Sequence, residues 1–239
     1  MVGNSGTAQT AVHRMQSKLA APTTSRRTIA ALLSLTAGTG VIDAVSYLGL
    51  GHVFVANMTG NIVFLGFAAN PSSGLSAWMA LIALGAFMFG ALVGGAVGHR
   101  VAASPTWPMS VLLVQAALLG VVAATAGVFG ISTVGRPVIV ATLAFAYGLQ
   151  NSTARRMAVA DLTTTVLTLT VTGLAADSRV AGGPGAKPVR RLASIATMLA
   201  GAVAGALLVQ VSVALTIAVA AGCVLVSAVL FGVDRRADS

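Results

Sequence analysis

Glutamate is absent from this chain of 239 residues; its five acidic residues are all aspartates, set against twelve arginines and two lysines. Only 8% of residues are charged and 5% aromatic, and cysteine occurs once. With the histidines isolated at His13, His52 and His99, no paired-carboxylate site and no metal-ligand spacing can be assembled. A nucleophile set beside a base is lacking as well, so no enzymatic activity, metal or cofactor is expected. The two tryptophans and two tyrosines are scattered, so the net charge of +9 lacks the interleaved aromatics on which bases would stack, and nucleic acid is excluded as a partner. Cys223 lies inside an apolar run and reads as a small packing residue.

What the chain has in abundance is apolar sequence: 56% of residues are hydrophobic and the mean hydropathy is +0.93. Apolar stretches run over 28–50, 52–69, 75–98, 109–131, 137–151, 161–176, 192–209 and 211–233. A helix needs about 20 residues to cross a bilayer. Five stretches meet that length or nearly so, those at 137–151 and 161–176 fall short, and 52–69 is polar in its first third. The expected fold is therefore all-α, a polytopic integral membrane protein with lipid as its surroundings. Residues 1–27 read as a disordered tail, 28–233 as the transmembrane domain and 234–239 as a second tail. Basic residues gather at segment ends, with Arg14, Lys18, Arg26 and Arg27 before the first span, Arg179, Lys187, Arg190 and Arg191 in one loop, and Arg235 and Arg236 at the end. That distribution expects both termini in the cytoplasm of a bacterial inner membrane.

A faint internal repeat organises the domain into halves of about 28–131 and 137–233. A shift of 108 residues lays Gly40 to Ala44 on Gly148 to Ser152; a drift of one on either side sets Thr59 on Thr168, Leu65 on Leu174, Gly94 on Gly201 and Gly98 on Gly205. Eight crossings would make the halves parallel. If the first two segments of each half together make one net crossing, there are six crossings and the halves are inverted, which suits the short segments and the basic residues better.

Between Arg27 and His99 the only charged residue is Asp43. A carboxylate in mid-membrane costs roughly 2.5–3.5 kcal/mol on insertion scales, so its retention points to use. Tyr47 lies four residues on, where on a helix its phenol is expected to reach the carboxylate. Asn57, Thr59, Gly60 and Asn61 form a polar turn, and Gln150, Asn151, Thr164 and Thr168 supply its counterpart in the second half. Asp161 is expected as a helix N-cap. The amides Asn57, Asn61, Gln150 and Asn151, with Thr59, are expected to line one cavity, suited to a neutral or zwitterionic solute.

The strings Gly40-x-x-Asp43-Ala44-x-x-Tyr47, Asn57-Met58-Thr59-Gly60-Asn61 and Gly148-Leu149-Gln150-Asn151, with Arg155-Arg156 and Thr164-Thr165, resemble the YoaK-like family of bacterial inner-membrane proteins over about residues 28–233. The resemblance implies about six transmembrane helices and no known activity. Thr168-Leu169 departs from the Thr-Gly that the family carries in its second half. The residues themselves favour a secondary transporter or permease for a small solute, proton-coupled through Asp43. The alternative is a channel or a structural membrane subunit, and self-association into a homo-oligomer is compatible with either.

Overall fold

A computed structural model describes residues 25–101, 106–157, 167–183 and 188–237. These residues form eight helices: α1 Arg26–Gly49, α2 Met58–Phe67, α3 Ala77–Arg100, α4 Trp107–Phe129, α5 Gly135–Met157, α6 Leu167–Ala176, α7 Pro188–Leu208 and α8 Val213–Ala237. The expected Asp161 cap, with Thr163, Thr164 and Thr165, lies outside the described residues. Side-chain oxygens open several helices. Ser25 accepts from the Thr28 N–H at 3.0 Å, and Ser76 accepts from that of Met79 at 3.3 Å. Gly130, at a positive φ of 70° that favours glycine, ends α4.

Five helices (α1, α3, α4, α7 and α8) are long and apolar enough to cross a membrane. The stretch expected to end at residue 151 instead continues as α5 to Met157, a helix of 23 residues. A hydropathy scan stops at the first amide, but Gln150, Asn151 and Thr153 are buried against neighbouring helices, so the helix runs on to Arg155 and Arg156. The interior is an apolar core that includes Ile42, Leu112, Leu143 and Ile217, but polar groups are buried with it and large apolar residues cover the outside. Asp43, Asn61, Gln115 and Gln150 are buried, while Phe89, Leu92, Val128 and Phe129 face outward. That pattern suits a hydrocarbon surround, where apolar surface is at home and polar groups must be satisfied within the protein.

Glycines set the helix directions by close backbone approach. Gly40 lies against Met198 and the Gly201-Ala202 backbone, Gly201 against Ala37, and Gly205 against Val41, so α1 and α7 run parallel. Gly148 lies against Phe87 and the Gly90-Ala91 backbone, Gly90 against Phe145, and Gly94 against Leu149, so α3 and α5 also run parallel. Gly90 thus takes on α3 the place that Gly201 has on α7, and Gly94 that of Gly205. This is one helical turn from the Gly94–Gly201 and Gly98–Gly205 matches the sequence suggested, because composition alone cannot fix the register between small residues spaced four apart. Ser34 Oγ donates to the Cys223 carbonyl at 2.8 Å, while Gly49 meets Val213, so α8 runs against α1. Met109 meets Gly232 and Gly127 meets Ala214, so α4 runs against α8. The Tyr147 hydroxyl donates to the Gly38 carbonyl at 3.1 Å, while Gly51 meets Arg136, so α5 runs against α1.

Helices α1, α4 and α7 therefore point one way, and α3, α5 and α8 the other. Because α1 and α3 are opposed, the short α2 between them cannot traverse the bundle. After α1 the chain turns at Gly51 (φ 107°) and His52 (φ 58°) and comes back along it. Its Ala56 N–H reaches Asp43, and α2 then returns until Phe64 packs on Tyr47 near the end of α1. At the opposite end, α6 starts beside Met198 and finishes where Asp177 pairs with Arg191 at 2.7 Å.

Candidate functional site: a cavity between the two short helices

The starts of α2 and α6 approach one cavity of about 470 Å³. Asp43 and Thr39 of α1 contribute to its wall, with Asn57, Met58, Thr59 and Gly60 at the start of α2 and Phe64 further along it. Thr168 of α6, Phe87 of α3 and Met198 of α7 complete much of the rest. Asp43 Oδ1 accepts from the Ala56 N–H at 2.9 Å, and the amides of Val55 and Asn57 flank the carboxylate. The same residue belongs to the cavity wall. Among the described residues, Asp43 is the sole charged group lining the space.

Five of the residues singled out from sequence line this cavity: Asp43, Asn57, Thr59, Gly60 and Thr168. Thr164 lies outside the described residues. The remaining four are placed elsewhere. Tyr47 makes no hydrogen bond to Asp43; its ring packs against His52, Phe54 and Phe64 at centroid distances of 5.2, 5.3 and 5.7 Å. Four residues of helix bring the two onto one side, but the phenol extends toward the helix end, where the returning chain brings its aromatic partners.

Asn61 is a clamp. Its Nδ2 donates to the Phe54 carbonyl at 2.6 Å and its Oδ1 accepts from the Phe54 N–H at 2.9 Å, satisfying both peptide groups of an extended segment that no helix serves. Gly60 permits the same arrangement, since a Cβ there would lie 2.6 Å from the Phe54 ring. Asn61→Ala is expected to lower stability by about 1–3 kcal/mol for each peptide group left unpaired. Thermal unfolding in detergent tests this, and an unchanged melting temperature would show that the clamp carries no weight.

Gln150 accepts from Gln115 Nε2 at 2.7 Å and donates to Thr39 Oγ1 at 3.4 Å, so it stands behind the cavity wall rather than in it. Asn151 Nδ2 donates to the Tyr147 carbonyl at 2.9 Å, and its Oδ1 is buried with no partner among the described residues. The amide-lined site expected from sequence therefore reduces to one amide, Asn57.

Sequence reasoning missed Thr39, Phe87 and Met198 in the wall, and Tyr147 behind it on the Gly38 carbonyl. Thr39 had a signal, being four residues before Asp43 on the same helix face. Tyr147 had one too, occupying the place of Thr39 under the 108-residue shift. Phe87 and Met198 carried none, because only helix packing brings them to the cavity.

The family model described as "Protein of unknown function (DUF1275)" matches residues 31–230. A relative from Bacillus subtilis (strain 168), "UPF0700 transmembrane protein YoaK", is 36% identical over 155 residues, which is 64% of this chain and 67% of the relative. No solved structure matches.

Proposed function

The chain belongs to the DUF1275 family of proteins of unknown function, and we propose that it is a secondary transporter whose solute site is the cavity between the two short helices. The observation that carries this reading is the joint origin of the wall: Asp43 and Asn57 come from the first half of the chain, Thr168 and Met198 from the second. Broken or short helices meeting at a site shared by two repeats are a recurring transporter arrangement.

The halves, about 28–131 and 137–233, act as inverted repeats. Exchanging α1 with α5, α2 with α6, α3 with α7 and α4 with α8 maps the α1–α7 crossing onto α5–α3 and Gly40 onto Gly148. Helix α5 is then the sixth crossing and the short helices are re-entrant. Of the eleven described arginines, ten lie at one end of the bundle: Arg26, Arg27, Arg100, Arg155, Arg156, Arg179, Arg190, Arg191, Arg235 and Arg236. Arg136 alone sits at the other. By the positive-inside rule the arginine-rich end, with both termini, faces the cytoplasm of the plasma membrane. Asp43 supplies the proton-coupling group, since a carboxylate at this depth can take up and give back a proton as the cavity changes sides.

Reconstitution into proteoliposomes with an imposed proton gradient, screened against a library of small solutes, tests the reading. Gradient-driven uptake is expected, and Thr168→Trp, which fills the cavity, is expected to abolish it. Flux indifferent to the proton gradient would mark a channel, and flux indifferent to Thr168→Trp would place the route elsewhere.

A further inference from the structure

The cavity wall carries charge of one sign only among the described residues. Its one formal charge among the described residues is the Asp43 carboxylate, anchored through Oδ1 by the Ala56 N–H. No described arginine, lysine or histidine lines the space. Phe64, Phe87, Met58 and Met198 add aromatic and thioether surface, which is polarisable and attracts cations over ring faces. The Thr39 hydroxyl donates its own proton to the Leu35 carbonyl at 2.9 Å and accepts from Gln150 Nε2 at 3.4 Å, so what remains for a neighbour is one acceptor lone pair.

We propose that the solute is a small organic cation of the ammonium class, and that it exchanges with a proton on Asp43. The proposal rests on the transporter reading above and names its substrate. The exchange follows from having one acid: as the cation enters, the Asp43 O–H bond breaks, the proton leaves to water, and the carboxylate pairs with the cation. On the other side the cation departs and a proton returns, so charge in the site is conserved. The titratable groups facing Asp43 from neighbouring helices are Tyr147 of α5 and, beyond it, Cys223 of α8. Among the described residues, helices α2, α3, α6 and α7 present none to the cavity.

The test places a cysteine at Thr168 in a Cys223→Ala background and compares two thiol reagents of the same shape, trimethylammonioethyl methanethiosulfonate and its uncharged 3,3-dimethylbutyl analogue. With Asp43 intact the cationic reagent is expected to gain at least about tenfold in relative rate over the Asp43→Asn protein, the size of enrichment that a charged cleft produces. Asp43→Glu is expected to restore the preference. In the protein with Asp43 intact, acidification that protonates the carboxylate is expected to erase it, a measurement that needs no Asp43 variant to fold. A cation preference that survives both Asp43→Asn and acidification, or no preference at all, overturns the cation assignment and leaves the transport site standing. If neither reagent reaches the thiol introduced by Thr168→Cys while one introduced by Ser73→Cys, in the exposed turn between α2 and α3, reacts, the cavity is closed to solutes and the transporter reading falls with the proposal.

Discussion

Alanine at Gly40 or at Gly148 is expected to weaken the folded protein by about 1–3 kcal/mol, and leucine at either position by more, because overpacking at a close helix crossing forces the backbones apart. A Cβ at Gly40 would press on the Met198 carbonyl and stand 2.7 Å from the Ala202 nitrogen. At Gly148 it would press on the Phe87 carbonyl and stand 2.8 Å from the Ala91 nitrogen. Neither backbone can step aside without opening the α1–α7 or α3–α5 crossing, where contact between small residues replaces a hydrophobic driving force that lipid does not provide. On α3, Gly85 and Gly95 have nothing within 4 Å of a Cβ, so alanine there is expected to be neutral or slightly stabilising. Thermal unfolding in detergent of the four alanine variants gives the comparison. Equal melting temperatures across all four would refute these crossings, and a large loss at only one of Gly40 and Gly148 would refute their equivalence.

Asp43→Asn is expected to abolish gradient-driven accumulation while leaving the protein folded. Asparagine keeps an oxygen to accept the Ala56 N–H, so the fixed contact at 2.9 Å survives, while the nitrogen that replaces the other oxygen beside the Val55 and Asn57 amides costs about 1–3 kcal/mol. What disappears is the single charged group in the described cavity wall, and with it the proton-coupling site proposed for it. Downhill movement of solute without proton coupling is the residual activity expected, measured in proteoliposomes with and without an imposed pH gradient. Retention of full, pH-responsive accumulation would remove Asp43 from the coupling and leave it a buried polar group that holds the returning chain against α1.

The amino-acid sequence by itself determined the membrane class, five of the spans and the place of Asp43 as the one charged residue in its apolar run, since these depend on local quantities: hydropathy over some twenty residues, and one carboxylate where charge is costly. It also disclosed that residues 52–69 would not make an ordinary span, because Gly51 and the polar turn from Asn57 to Asn61 interrupt the apolar run. Asn57, Thr59 and Thr168 were legible for the same reason, as polar residues at the starts of short helices. What only the tertiary structure decided is where each amide points. Asn61 and Asn57 lie one helical turn apart, yet one clamps Phe54 and the other faces the cavity, a choice made by the returning segment 53–56 and not by spacing. Likewise Gln150 is held behind the wall by Gln115 on α4, a residue far from it in sequence with no pattern linking the two. The length of α5 and the turn-by-turn register of the glycines were also decided there. Both depend on which polar or small surface a neighbouring helix covers, and that is a property of the packed bundle rather than of any one segment.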